Sequence, residues 1–175
     1  MRNLFRCTIV ACALGSLAVV PGAADAPAAA SPSTVLTGKM ASMQYLVGSW
    51  NCDVKVPASA SGPAGIDHGV VTYSVVPGNA LHLHVTAEDY AADSYSGYVE
   101  KSNAYWMTTI DAYGTASTES STDGKVFAGS SAGGGTSTQI RDTFTRPATN
   151  TIRDLQEFKT NGAWNMASDS TCTRV

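Results

Sequence analysis

Several motifs that identify enzymes are missing from this sequence. It has no phosphate-binding loop ending in Gly-Lys-Ser/Thr and no His-Glu-x-x-His zinc motif. Lys and Arg form no stripe or cluster, which disfavours nucleic-acid binding. Charged residues are scarce, at 14% of the 175 residues, whereas Gly, Ser, Thr and Ala are abundant. This composition is typical of an exported β protein with many turns, and it does not support catalysis.

The first residues have the pattern of a secretory signal peptide. Arg2 and Arg6 precede an apolar run at residues 8–20, and small residues follow it. The run is shorter than the roughly 20 residues that span a membrane, so we interpret it as part of a cleaved signal peptide. We expect no membrane span once the signal is removed. Cleavage fits after Ala26, by the small-x-small rule, or after Ala24. The sequence therefore predicts a periplasmic or secreted protein.

We divide the chain into a signal peptide at 1–26, a disordered leader at 27–36 and one domain at 37–175. The leader is rich in Pro, Ala and Ser and can bury little apolar surface. Cleavage after Ala26 leaves 149 of the 175 residues, enough for a single hydrophobic core.

A short helix and many short strands are predicted for that domain. Apolar residues recur at helical spacing over Thr37–Val47, and this helix is expected to plug one end of a barrel. Turn signals such as Asp123-Gly124 and Asn161-Gly162 separate alternating segments, with no crossover helix between them. The predicted strands are 49–56, 68–76, 80–88, 93–101, 103–110, 115–121, 125–131, 136–146, 150–159 and 163–173. The predicted fold is an all-β, ten-stranded antiparallel up-and-down barrel.

Motifs spread over Thr37–Arg174 resemble a bacterial family of lipocalin-like (calycin-like) barrels of unassigned function. The motifs are Leu46-Val47-Gly48-Ser49-Trp50, the strand Trp106–Gly114, Asp123-Gly124, Ile140-Arg141-Asp142-Thr143, and a last strand from Gly162 to Arg174. The resemblance implies a barrel with an interior cavity but brings no established activity. It also implies a structural role for Trp50, which packs at the closed end, and for Arg174, which covers its indole.

The Gly-x-Trp motif also occurs in haem-binding barrels similar to nitrobindin, which carry a histidine ligand late in the chain. Here no histidine follows His84. We therefore expect no cofactor.

Two cysteines, Cys52 and Cys172, remain outside the signal peptide. They lie in the first and last predicted strands, which are neighbours in a closed meander, so we expect a disulfide between them. Two separate buried thiols are the alternative.

The candidate ligand-binding residues combine aromatic side chains with two polar ones. Aromatic side chains give a barrel an apolar wall with polar tips, which suits a small organic ligand. On the last strand we expect Trp164, Met166, Ser168, Ser170 and Cys172 to point inward together. The predicted wall consists of Tyr73, Tyr98, Trp106 and Trp164, with His84 and Arg153 as polar fixing points.

Each of these assignments has an alternative. Instead of lining a ligand cavity, the aromatic side chains could fill the barrel completely. His82 and His84 share one strand face, which either points to solvent or contributes to a pocket or metal site, and no metal site is predicted. Arg141 and Arg153 either form an outer cross-strand ladder with acidic residues or reach the lumen.

The sequence thus favours an exported protein that holds a small hydrophobic or amphipathic, mostly apolar molecule in its lumen. The alternatives are an enzyme of cyclase or isomerase type with a histidine general base in the same cavity, and an accessory protein with a filled barrel.

Overall fold

The structure, a computed structural model, describes residues 34–59 and 63–175. Over these residues the chain forms a 3₁₀ helix at Gly38–Leu46 and then ten strands, with a one-turn 3₁₀ segment at Glu100–Ser102. The strands are β1 Gly48–Val56, β2 Gly65–Val76, β3 Ala80–Ala87, β4 Ala91–Val99, β5 Ala104–Asp111, β6 Ala116–Ser121, β7 Val126–Gly133, β8 Thr136–Ala148, β9 Thr151–Thr160 and β10 Ala163–Arg174.

The strands close into one antiparallel barrel in which each strand pairs with its neighbours in sequence. The barrel closes where β1 pairs with β10, with Cys52 opposite Cys172. This confirms the predicted all-β barrel and its up-and-down order. Closure gives each strand a hydrogen-bonded neighbour on both sides.

Local turn chemistry explains why the strands end where they do. Asn161 and Gly162 join β9 to β10 with φ angles of 52° and 81°. Both values are positive, as a tight hairpin turn of the primed type requires, and Asn and Gly tolerate them best.

The N-terminal 3₁₀ helix plugs one end of the barrel, as predicted. Met40, Met43 and Leu46 of the helix are buried in the core cluster that contains Trp50. Leu36, in the segment predicted as leader, is also buried, and its N–H donates to Gln44 Oε1 at 2.7 Å. The packed part of the chain therefore begins before residue 37.

A cluster around Trp50 seals this closed end. The Trp50 side chain is 0% exposed, and its Nε1–H donates to the Leu46 carbonyl at 2.7 Å. The Arg174 guanidinium lies 4.2 Å from the indole centroid and donates to the Val47 carbonyl at 2.7 Å. The positions of Trp50 and Arg174 agree with the structural role that the resemblance implied for them.

The barrel seam carries the predicted disulfide between Cys52 and Cys172, which are 120 residues apart in sequence. Both cysteines are buried and face the barrel interior. A disulfide of this kind is typical of proteins in oxidising compartments.

A bulge in β10 changes the predicted inward set of that strand. The register shifts between Met166 and Ser168, so an extra residue interrupts the alternation. Ser168, Ser170 and Cys172 face the interior, as predicted. The prediction is wrong for Trp164 and Met166, which the bulge turns to the outside.

The predicted signal peptide at 1–26 and most of the leader at 27–36 lie outside the described residues. Within 34–59 and 63–175, none of the helices combines the length and hydrophobicity needed to cross a bilayer.

Candidate functional site

A cavity of about 650 Å³ occupies the half of the barrel away from the N-terminal helix. It opens at the end where β1 joins β2 and β3 joins β4. Its volume lies within the 300–1,000 Å³ range of small-molecule sites. Much of its wall is apolar and comes from most of the barrel strands: Val54, Val71, Leu83, Val85, Ala92, Met107, Phe144, Ile152 and Phe158.

The closed half of the barrel is filled by side chains. Tyr98 and Tyr105 pack edge to face with ring centroids 5.1 Å apart, and Phe127 packs against Phe144 at 5.9 Å. The Tyr105 hydroxyl donates to the Lys39 carbonyl and so ties β5 to the plugging helix. The barrel is thus filled at one end and hollow at the other.

Three acidic side chains point into the barrel beside the cavity: Glu119 on β6, Asp142 on β8 and Asp154 on β9. Glu119 is 2% exposed and Asp142 is 3% exposed. Asp142 and Asp154 line the cavity, together with Gln156, the cross-strand partner of Asp142. We call Glu119, Asp142 and Asp154 the carboxyl cluster.

Gly129 on β7 contributes to this arrangement. It pairs with Glu119 on one side and Ile140 on the other, between β6 and β8. A Cβ at this position would lie 1.9 Å from the Thr118 carbonyl oxygen, so only glycine fits. The close approach of β6 at this point helps to bring Glu119 next to Asp142.

Hydrogen bonding leaves the carboxyl cluster incompletely satisfied. Ser117 donates to Glu119 Oε1 at 2.9 Å. Glu119 and Asp142 can hydrogen-bond to each other only if one of them is protonated, because two carboxylates are both acceptors. In the described part of the chain, the buried atoms Glu119 Oε2, Asp142 Oδ1 and Asp154 Oδ1 have no donor.

Burial and the repulsion between neighbouring carboxylates raise the pKa values of Asp142 and Asp154. Burial, then the charges of Asp154 and Glu119, raise the pKa of Asp142 to about 10, although the Gln156 amide lowers it. Burial, then the charges of Glu119 and Asp169, raise the pKa of Asp154 to about 7. Burial, then the charge of Asp154, also raises the pKa of Tyr73. The cavity therefore resists negative charge unless a cation compensates it.

The mouth of the cavity is also acidic. Asp67, Glu88, Asp89 and Asp111 line it, and the described lining residues include no Lys or Arg. Asp111 Oδ1 accepts the backbone N–H of Tyr113 at 2.9 Å, which shapes the β5–β6 turn. Two aromatic rings stand beside these acids, because Tyr90 and Tyr113 both line the cavity with centroids 6.0 Å apart.

Of the six predicted ligand-binding residues, the structure places only Tyr73 on the cavity wall. Tyr98 also faces inward, but it lies in the filled half, where its hydroxyl donates to Asn103 Oδ1. The placement of the other four in the lumen is wrong.

His84 lies on the outer face of β3, beside His82. Asp93 Oδ1 contacts His82 Nε2 at 2.7 Å and His84 Nδ1 at 3.0 Å, while Leu81 is buried on the opposite face. The leucine face of β3 packs inside the barrel because burial of apolar side chains stabilises the core, whereas the imidazoles stay hydrated on the outer face. Among the described residues, no group of three His, Cys, Asp or Glu side chains could hold a metal ion.

Trp106 also faces outward, where its indole covers Gly97 of the neighbouring strand. Its sequence neighbour Tyr105 takes the inward position. Trp164, turned out by the bulge, lies beneath the Arg141 guanidinium at 4.5 Å.

Arg153 belongs to an outer ladder of ion pairs. Its guanidinium donates to both carboxylate oxygens of Asp169, at 2.6 and 2.8 Å. Arg141 pairs with Glu157, where its Nε and Nη2 both donate to Oε2 at 2.8 and 2.6 Å. The ladder alternative therefore describes both arginines.

The sequence predictions do not include the carboxyl cluster, although the alternation of buried and exposed positions marks two of its members. Asp142 is in phase with Ile140 and Phe144, and Asp154 is in phase with Ile152, so both acids fall on core-facing positions. Acidic residues in such positions are rare without a partner or a function.

One further pattern has no catalytic meaning here. Residues 129–133 read Gly-x-Ser-x-Gly, the spacing of a hydrolase nucleophile elbow. An elbow requires a sharp turn from strand to helix, but these residues belong to the extended strand β7.

Comparisons with known proteins do not identify a family. No family model matches the chain, and no curated protein matches it. A similar solved structure is a protein of unknown function from the DUF3598 family of Nostoc punctiforme. It is 10% identical, the match covers 84% of this chain and 53% of that chain, and the TM-score is 0.43. This chain therefore spans about half the length of that protein, and the likeness carries no argument about function.

Proposed function

We propose that this protein is an exported, lipocalin-like binding protein that holds a small, largely apolar or amphipathic molecule in its lumen. The observation that carries the proposal is the cavity of about 650 Å³, closed at one end by the helix and Trp50 and open at the other. An apolar wall with a few convergent polar groups is the usual form of a small-molecule site.

The seam disulfide and the signal-like N-terminus support export. The alternative of an enzyme with a histidine base has no comparable support, because His82 and His84 face outward. His68, at the rim, is a partner of Asp53 outside the barrel, with its side chain 78% exposed. The alternative of a filled barrel would require side chains in the volume that the cavity occupies.

The test measures how the uncharged, solvent-sensitive dye Nile red binds to the wild type and to two variants with a tryptophan on the same strand. Ser170 lines the cavity, so Ser170→Trp places an indole inside it and narrows it, whereas the adjacent Thr171 is exposed and Thr171→Trp leaves it unchanged. We expect 1:1 enhancement of dye emission by the wild type and Thr171→Trp, and clearly weaker enhancement by Ser170→Trp. No enhancement by the wild type, or equal enhancement by both variants, would contradict the proposal.

Native mass spectrometry of protein purified from its own periplasm or medium addresses the natural ligand. We expect a small-molecule mass that is released on denaturation.

A further inference from the structure

The carboxyl cluster presents an energetic problem that the chain does not solve with its own side chains. Glu119 and Asp142 are almost completely buried, Asp142 lines the cavity, and its buried Oδ1 has no donor among the described residues. A buried, unpartnered carboxylate is costly, so it is retained either protonated or opposite a positive charge.

Among the described residues, the two arginines next to these carboxyls in sequence are paired with other acids. Arg141 and Arg153 lie on β8 and β9, one residue before Asp142 and Asp154, and alternation points them to the outer face. There they pair with Glu157 and Asp169. A compensating positive charge at the cavity wall must therefore come from a molecule that enters the lumen.

The route into the cavity is suited to such a molecule. Asp67, Glu88 and Asp89 at the mouth attract cations and repel anions over several ångströms. The rings of Tyr90 and Tyr113 can contact a cation through their faces.

Deeper in the cavity, the two carboxyls lie among apolar side chains. Val71, Phe144 and Phe158 line the same cavity as Asp142 and Asp154, with Phe144 paired to Asp154 across β8 and β9, and they provide an apolar surface. An ammonium group at the carboxyls and a hydrocarbon body on this surface would satisfy both parts of the site.

We propose that the lumen binds an organic cation, a protonated amine with an apolar body, whose charged nitrogen sits at Asp142 and Asp154. This inference rests on the proposed lumenal binding function and names the chemical class of its ligand. The ammonium donates to the carboxylates of these two residues, which both line the cavity.

Binding of the amine exchanges a proton for a cation. Asp142 and Asp154 hold protons more tightly than ordinary carboxyls, and an ammonium group favours their ionised forms. Affinity therefore rises with pH, as long as the amine stays charged. The titratable groups around these two carboxyls are Glu119 on β6, Tyr73 on β2 and Tyr90 after β3, with Asp169 of β10 on the outer face and Asp67, Glu88, Asp89 and Asp111 at the mouth.

The experiment uses three probes with one carbon skeleton: 4-phenylbutylamine, 4-phenylbutan-1-ol and 4-phenylbutanoate. Isothermal titration calorimetry on the disulfide-intact protein at pH 7.5 measures each affinity. We expect the amine to bind at least 10-fold more tightly than the alcohol, and the carboxylate most weakly. We also expect amine affinity to rise from pH 6 to pH 8, with proton release detectable from the dependence of the heat on buffer.

Neutral, nearly isosteric variants locate the charge. Asp142→Asn combined with Asp154→Asn should weaken amine binding at least 10-fold and leave alcohol binding within about twofold. If that protein does not fold, Asp142→Asn alone provides the same comparison. Asp123→Asn, in the β6–β7 turn outside the cavity, is the matched control and should change neither affinity.

The outcomes separate the two proposals. If the alcohol binds as tightly as the amine, or the Asn variants bind the amine as the wild type does, the cation inference is wrong while lumenal binding stands. If Nile red and all three probes fail to bind, both proposals are wrong.

Discussion

The guanidinium of Arg174, next to the C-terminus, lies 4.2 Å from the indole centroid of Trp50 at the start of the first strand. It also donates to the carbonyl of Tyr45, in the last turn of the helix, and to that of Val47, just after the helix. One side chain thus ties the last strand, the first strand and the plugging helix together at the closed end.

Loss of this contact should reduce stability. Arg174→Ala removes a cation–π contact and two hydrogen bonds, and we expect a loss of about 2 kcal/mol and a melting temperature about 4–8 °C lower. Arg174→Lys keeps the charge but not the paired donors, so its melting temperature should lie between those of the wild type and Arg174→Ala. Thermal unfolding followed by circular dichroism measures these melting temperatures. An unchanged melting temperature in Arg174→Ala would contradict a structural role for Arg174.

Stability should fall as pH rises through the neutral range. The unfolded chain releases the Asp142 and Asp154 protons near pH 4, whereas the folded protein holds them to about 7 for Asp154 and about 10 for Asp142. The folded state binds more protons between these values, so rising pH favours unfolding by about 1.4 kcal/mol per pH unit for each retained proton. Urea unfolding at pH 5, 6.5 and 8 should show this slope.

Two variants test the origin of that slope. Asp142→Asn removes the proton that is held most tightly, so it should flatten the slope and stabilise the protein at pH 8. Asp123→Asn changes a carboxylate whose pKa is lowered by the backbone N–H groups of Val126 and Lys125. The stability contributed by Asp123 is lost only in acid, so its variant should keep the wild-type slope between pH 5 and 8. Equal slopes in Asp142→Asn and the wild type would contradict the assignment.

The seam disulfide should contribute strongly to stability. It closes a 120-residue separation, and the chain-entropy model gives about 5 kcal/mol for a loop of that length. Cys52→Ala combined with Cys172→Ala should therefore lower the unfolding free energy by several kcal/mol. The reduced wild type should approach the same value, and a loss below about 1 kcal/mol would show that barrel closure alone holds the seam.

Trp106 and Gly97 should behave as a coupled pair on the outer face. A Cβ on residue 97 would lie 2.8–2.9 Å from atoms of the Trp106 indole. Gly97→Ala should therefore cost about 1–3 kcal/mol in the wild-type background and much less in Trp106→Ala. Urea unfolding of the four proteins in this cycle measures the coupling, and additive effects would exclude the contact.

Much of the fold could be predicted because its signals are local. The Asn161-Gly162 turn, the alternation in β1 and the helical spacing of Met40 and Met43 each depend on residues close in sequence. The disulfide followed from topology, because a closed meander places its first and last strands side by side.

The candidate site could not be predicted to the same extent, since alternation states which residues share a face but not which face is inside. The sequence predicts Trp106 in the aromatic wall of the lumen, yet its neighbour Tyr105 occupies the inward position. The irregularity at Met166 and Ser168 reversed the phase for Trp164, and no local signal marks that bulge.

The sequence by itself determined the strands, their order, the plug helix and the seam partners, because hydrogen-bonding geometry and turn conformation act over a few residues. Only the tertiary structure decided that Glu119, Asp142 and Asp154 meet beside a cavity while the histidines and arginines stay outside. That outcome depends on barrel closure, on the missing side chain of Gly129 and on one bulge, which together set distances between residues far apart in sequence.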